Sequence, residues 1–267
     1  MTNLCRWLSR ARRGVEDGAL LDVEAASLVA VAAVIGSFLG VVVRRLPEGK
    51  PIICSRSRCE SCQAVLAARD LVPLASWFRA RGRCRLCGIR LGWFYPAIEI
   101  AALLIALIAL AVDGVPRAWL DCLFGWWLLT LGWIDWRHWV LPDALTLPLI
   151  VGGLVTAALF DPDHVLDRAL GAALGYLAMR AIATAYRATR GRDGLGGGDA
   201  KLLCAAGAWL GLAAVPQTLL GAALVALAAV GGLRLGGIRL GAQSALPFGP
   251  FIAAAAWALW LWGPLSL

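Results

Sequence analysis

Apolar runs of membrane-crossing length alternate with short charged turns along nearly the whole chain. The first run, residues 25–43, stops at Arg44-Arg45-Leu46-Pro47, a charged boundary with a helix-ending proline. A polar stretch over residues 44–93 comes next. Further apolar runs then cover residues 94–112, 118–134, 142–160, 165–187, 199–213, 215–233 and 246–263. About 20 apolar residues are needed to cross a bilayer core at 1.5 Å per residue, and most of these runs come close. The run from Asp199 is the shortest. Glycine and alanine are abundant throughout, which suits close helix packing in lipid. The pattern predicts an all-α polytopic membrane protein of about eight transmembrane helices. Its expected parts are an N-terminal tail (1–24), a first span (25–43), a loop domain (44–93) and a seven-helix membrane domain (94–267). The tail has mixed charge, fits an amphipathic helix lying on a membrane face, and lacks the pattern of a cleavable signal peptide.

Composition agrees with this picture. The chain is 60% hydrophobic and 16% charged, with a mean hydropathy of +0.75, whereas a soluble domain is nearer half apolar and a quarter charged. The net charge of +8 does not imply nucleic acid, because the basic residues collect in the loops. Residues 44–93 hold eleven Lys or Arg against Glu48, Glu60 and Asp70. Arg137, Arg187, Arg190, Arg192, Arg234 and Arg239 fall in three later loops on the same side, while Asp161, Asp163 and Asp167 lie in a loop on the other. The positive-inside rule then places the basic side in the cytoplasm. The tail dissents, since Arg6, Arg10, Arg12 and Arg13 fall on the outer side, softened by four nearby acids.

The polar loop carries Cys59-x-x-Cys62 and Cys84-x-x-Cys87, separated by 21 residues. Two such turns bring four thiolates to a tetrahedral centre, the arrangement of a zinc ribbon. Disulfides are the alternative, and a reducing cytoplasm disfavours them. The expected zinc is structural, because a loop with so few core hydrophobes needs a staple to fold. Cys5, Cys54, Cys122 and Cys204 are scattered and read as small apolar fillers.

Two acids stand at the ends of apolar runs on the basic side. Asp135 comes after Trp133-Ile134, and Asp199 after the glycines of Gly194-Leu195-Gly196-Gly197-Gly198. Ionisable groups at such positions are costly and point to function. A pair of carboxylates that meet shares a proton and offers one base and one acid, which suits hydrolysis of a peptide bond by water. Gly196 and Gly198 would let a substrate backbone approach, and Lys201 would bias the pair or face lipid headgroups. Asp143 rivals Asp135, although an acid after Pro142 also reads as a helix cap. Asp199 and Asp135 themselves admit plainer roles, as a cap and as a partner for Arg137. His138 reads as a local hydrogen-bonding group, and Glu99, inside the second run, has no partner that the sequence names. A proton-coupled transporter using both aspartates, or a zinc-ribbon adaptor without catalysis, also fits these residues alone.

In order along the chain stand Gly36-Ser37-Phe38-Leu39, Arg45-Leu46-Pro47, the four cysteines, Pro73-Leu74-Ala75-Ser76-Trp77 and Arg81-Gly82-Arg83-Cys84. Beyond them lie Tyr95-Pro96-x-x-Glu99, Ile134-Asp135, Leu141-Pro142-Asp143, Gly196-x-Gly198-Asp199-x-Lys201 and Pro247-Phe248-Gly249-Pro250. This series resembles the bacterial prepilin leader peptidases, most of which are also N-methyltransferases. The resemblance implies a GxGD-type aspartyl protease with Asp135 and Asp199 as the catalytic pair. Its substrates would be prepilins or pseudopilins of type IV pilus or type II secretion systems, with S-adenosylmethionine as the methyl donor. It also implies a multi-pass protein of the bacterial inner membrane with its site facing the cytoplasm. A GxGD protease acting on another single-span substrate shares this chemistry. The chain departs from the family at Gly40, where asparagine is common, which bears on the methyltransferase half. No Gly-x-Gly-x-x-Gly fingerprint stands after a strand, and the sequence assigns neither a cofactor-binding residue nor an oligomeric state.

Overall fold

The computed structural model describes residues 18–53, 56–59, 61–191, 196–237 and 246–264. The tail up to residue 17, Cys54, Glu60, Arg192, Gly194, Leu195 and Arg239 lie outside the described residues. Within them the chain is helical, with two isolated antiparallel bridges and no longer strand. The helices are α1 (Gly18–Arg45), a short α2 (Ala75–Arg79), α3 (Phe94–Val112), α4 (Arg117–His138), α5 (Asp143–Phe160), α6 (Val165–Arg190), α7 (Gly197–Leu210), α8 (Ala214–Leu235) and α9 (Gly249–Trp262). Apart from α2, each covers one of the eight apolar runs. Five have both the length and the apolarity to cross a membrane: Val23–Arg45 of α1, α3, α5, Pro162–Arg190 including α6, and α8. The chain is a multi-pass membrane protein. Helix α4 has the length but carries Arg117, Asp121, Asp135 and Arg137. At 14 residues each, α7 and α9 reach about 21 Å, short of the bilayer core.

Two compact units divide the described residues, one within 18–126 and one within 127–264. In the first, α1 and α3 pack through glycines. A Cβ on Gly36 would lie 2.8 Å from the Glu99 Cα, and one on Gly40 would lie 3.0 Å from the Tyr95 ring. Gly40 is thus matched to Tyr95: an asparagine would press on that ring unless the tyrosine moved. Trp126 anchors the start of α4 by donating its indole N–H to the Ala102 carbonyl at 3.0 Å.

The second unit is built to place α7. A Cβ on Gly207 would stand 2.2 Å from the Gly171 carbonyl oxygen, and one on Gly175 would stand 2.6 Å from that of Leu203, so α6 and α7 touch backbone to backbone. Dispersion contacts of that density hold helices together where lipid removes the hydrophobic drive. On its other side, α7 donates the Trp209 indole N–H to the Leu149 carbonyl of α5 at 2.8 Å. Trp127 of α4 does the same to Leu145 at 2.9 Å, so α5 takes one indole on either side of its internal Pro148.

Candidate active site

Helix α4 delivers Asp135 close to its C-terminal end, and α7 delivers Asp199 in its first turn. Both are buried, each 7% exposed, and the Asp135 carboxylate is near enough to act on Asp199 electrostatically. Each carboxylate meets the N-terminus of a helix. Gly196 is the N-cap of α7 and Asp199 its third residue. From there an acidic side chain reaches back to the N-cap amide, and the Gly196 N–H does donate to Asp199. Asp135 is received by α9: the Gly249 N–H, at the first residue of that helix, donates to Oδ2 at 2.9 Å. Free amides and the helix dipole both favour a carboxylate in these positions. Asp199 therefore caps its helix and faces Asp135 at once.

The glycines divide the work. A Cβ on Gly198 would meet Leu141 at 2.9 Å, so Gly198 is bare to let the α4–α5 turn seat against α7, not to admit a substrate. A Cβ on Gly196 would stand 3.6 Å from Asp199 Oδ2. A Cβ on Gly197 would meet nothing within 4 Å among the described residues, which makes it the open position of the three. Lys201 is bound to Asp143 of α5 through an ammonium–carboxylate contact, and none of its contacts reaches the two buried acids. Pro142 holds the N-cap position of α5 and Asp143 is its first residue, an acid in the first turn, with a side chain 58% exposed. His138 buries its Nε2 without a hydrogen-bond partner among the described residues.

Sequence reasoning left Gly249 without a role, and the structure supplies one. A Cβ there would stand 2.6 Å from Asp135 Oδ2 and 3.0 Å from its Cγ. Only glycine lets the start of α9 close over the acid. The signal was Pro247-Phe248-Gly249-Pro250 itself, a glycine between helix-breaking residues.

In the first unit the four cysteines come together. Their sulfurs all lie within 4.8 Å of one another, Cys59 and Cys87 are 3.9 Å apart, and none is disulfide-bonded. A tetrahedral metal with sulfur at about 2.3 Å requires edges of about 3.8 Å, so the set fits a metal ion. The two turns repeat each other. Gln63 and Gly88, each directly after the second cysteine of its pair, both adopt positive φ, 56° and 72°, and donate to the carbonyls of Cys59 and Cys84. Backbone amides of Cys62 and Ser61 face the Cys59 sulfur and lower its thiol to about 6, toward the thiolate a metal requires.

Glu99 also acquires partners. It is 6% exposed, accepts the Leu74 N–H at 2.8 Å and bonds the Ser37 side chain. Leu74 is strained, with φ 56° and ψ −52°, in a tight turn closed by Ala75 N–H to the Pro73 carbonyl. Leu74 leads into α2, whose Trp77 packs on Trp93 at 4.4 Å between centroids. A Cβ on Gly82 would fall 2.9 Å from Trp77, two residues before Cys84. A buried carboxylate thus ties the four-cysteine loop to α1 and α3.

Comparison with known proteins identifies both units. The Bacterial Peptidase A24 N-terminal domain matches residues 30–112, and the Type IV leader peptidase family matches residues 122–231. A prepilin leader peptidase/N-methyltransferase of Aeromonas salmonicida is 36% identical over 256 residues, covering 86% of this chain and 87% of its own. The protein of that name from Burkholderia pseudomallei is 38% identical over 268 residues, covering 90% and 86%. That from Pseudomonas aeruginosa is 35% identical over 260, covering 88% and 89%. No solved structure matches the chain. With both halves matched and relatives aligned over most of their length, the chain belongs to the type IV leader peptidase family.

Proposed function

We propose that this protein is a membrane-embedded aspartyl endopeptidase that removes the leader of prepilins or pseudopilins, with Asp135 and Asp199 as its acid–base pair. The observation that carries the assignment is their convergence: two buried carboxylates, 64 residues apart in the sequence, each held at a helix N-terminus and close enough to interact. Such a pair holds one proton between them. The ionised member takes a proton from water, whose oxygen attacks the scissile carbonyl carbon. The protonated member gives its proton to the carbonyl oxygen. Collapse of the tetrahedral intermediate breaks the C–N bond: the leaving nitrogen takes the proton held by the first acid, and the second acid takes back a hydroxyl proton as the carboxyl product forms. Gly196 and Gly198 shape this site by holding Asp199 and seating Leu141, and the bare face of Gly197 gives a substrate backbone room. Lys201 supports it indirectly, by tying α7 to α5 through Asp143.

The relatives' names couple the peptidase to an N-methyltransferase, and S-adenosylmethionine would supply the methyl group for the newly exposed N-terminal amine. Zinc is the ion we assign to Cys59, Cys62, Cys84 and Cys87, in a structural role. The basic loops support a site at the cytoplasmic face of the inner membrane. Domain limits at 24, 43 and 93 track the apolar runs, with the loop domain between α1 and α3. Family membership does not favour the transporter or adaptor readings.

The test is cleavage of a prepilin by purified protein in liposomes. Asp135→Asn and Asp199→Asn keep size and polarity and should each abolish cleavage, while Asp143→Asn should retain it. Cleavage at the wild-type rate by either of the first two variants overturns the assignment.

A further inference from the structure

The second cysteine turn contains a pairing that is unfavourable in isolation. Arg83 and Arg90 face each other across its antiparallel bridge. Directly opposed residues of such a bridge project to the same side with Cβ atoms about 5 Å apart, and like charges there repel. Both arginines are exposed. Neither finds a carboxylate among the described residues, although other basic groups of the loop do find partners. Lys50 pairs with Glu48, Arg85 with Asp70, and Arg45 and Arg58 turn to backbone carbonyls. Two opposed, unpaired guanidiniums form a fork suited to phosphate oxygens.

Where the pair lies decides which phosphate. Arg90 is four residues before Phe94, where α3 begins its passage through the membrane. Extended chain spans at most about 3.6 Å per residue, so the pair stands within about 15 Å of that point. The headgroup layer on one side adds about 5–8 Å to the core, so the pair stands within that layer or just outside it. Trp93, 66% exposed, sits between them at the position an interfacial aromatic occupies. It packs on Trp77, whose neighbour Phe78 is 58% exposed and meets it edge-on at 5.3 Å. Aromatic side chains at the helix start, with a cationic pair a few residues before it in the chain, match a surface that is apolar below and anionic above.

We infer that the membrane-proximal segment of the four-cysteine loop, through Arg83, Arg90 and Trp93, is an anionic-phospholipid site, which seats the loop on the membrane surface through lipid phosphate. The loop's excess of basic residues draws it to an anionic bilayer, and the opposed arginines make the local contact that relieves their own repulsion.

The experiment uses the full-length protein in nanodiscs of phosphatidylcholine alone or with increasing phosphatidylglycerol. It reads hydrogen exchange over residues 83–93 and, by native mass spectrometry, the phosphatidylglycerol retained. Each basic residue near such a surface is worth about fivefold in affinity, so Arg83→Gln/Arg90→Gln should weaken retention about 30-fold. The variant should also lose the protection that phosphatidylglycerol confers. Arg69→Glu removes the same two units of charge from another exposed part of the loop and should leave retention within about threefold of wild type. Bound metal per protein, read on all three proteins, verifies that the loop is folded. Equal retention by wild type and the double variant overturns the inference. So does an equal loss in Arg69→Glu, which would make the attraction diffuse, or equal protection by free glycerol phosphate at millimolar concentration, which would make the site one for a soluble anion. None of these readouts depends on peptidase activity.

Discussion

Gly249→Ala is the sharpest test of how the two acids are held. The substitution adds one methyl group and keeps the backbone N–H that Asp135 accepts. Residue 249 lies outside the positive-φ region, so alanine is free to adopt its conformation. What changes is space: the new carbon would stand 2.6 Å from Asp135 Oδ2, 3.0 Å from Cγ and 3.2 Å from Cβ. Regaining ordinary contact requires a shift of roughly 0.5–1 Å. Two of the three contacts are to Cγ and Cβ, which do not move when the carboxylate turns about the Cβ–Cγ bond, so rotating the terminal oxygen does not relieve them. Overpacking of this kind costs about 1–3 kcal/mol, against which alanine regains up to about 1 kcal/mol of helix propensity, so the protein should still accumulate. Turnover is far more sensitive, because misplacing a reacting group by about 1 Å costs on the order of 100-fold. The assay is initial-rate cleavage of a prepilin in liposomes. kcat should fall 10- to 100-fold with KM nearly unchanged, since the methyl displaces the acid and not the substrate. Gly231→Ala, where a Cβ meets nothing within 4 Å, is the control. A Gly249→Ala protein with kcat within twofold of wild type would refute the proposed placement of Asp135 under α9.

Cys62→Ser should lower the amount of protein in the membrane and the metal bound per molecule, as should growth with a permeant chelator. Normal abundance with lost cleavage would instead give the metal a chemical role. Glu99→Ala leaves the Leu74 amide without its acceptor at a cost of about 1–3 kcal/mol. The loop should become several-fold more sensitive to limited proteolysis, while Glu99→Gln, which keeps an acceptor oxygen, should be protected. Gly207→Val drives a branched side chain into the Gly171 carbonyl, only 2.2 Å from a Cβ. It should separate α6 from α7 and abolish accumulation, as read by immunoblot of membranes.

Local chemistry made the helices and the cysteine centre legible in the sequence. Apolar runs of sufficient length have few alternatives to helix in lipid, because every backbone N–H and C=O must be satisfied within the segment. The runs therefore mark the helices, with the start of α1 falling earlier than residue 25 and α7 short, as the run from Asp199 suggested. The cysteine centre was readable for a similar reason: each turn closes over four or five residues, and the repeated spacing declares it. Asp135 and Asp199 stood out as ionisable groups at span ends. The residues alone left open whether they meet; the family resemblance implied that they do.

Partners, by contrast, came from the packed chain alone, because contacts distant in sequence depend on how helices are rotated and placed. The bond from Gly249 to Asp135 joins residues 114 apart, the contact between Lys201 and Asp143 joins residues 58 apart, and the clamp from Glu99 to Leu74 joins residues 25 apart. No local pattern encodes these separations. Gly198 shows the limit well: its lack of a side chain was plain in the sequence, but the use made of it, room for Leu141 and not for substrate, was set by the path of the α4–α5 turn. Packing of α7 against α5 and α6 sets Asp199, the start of α9 holds Asp135, and together they bring the two acids within electrostatic reach, since charges interact through space and the chain fixes only their order.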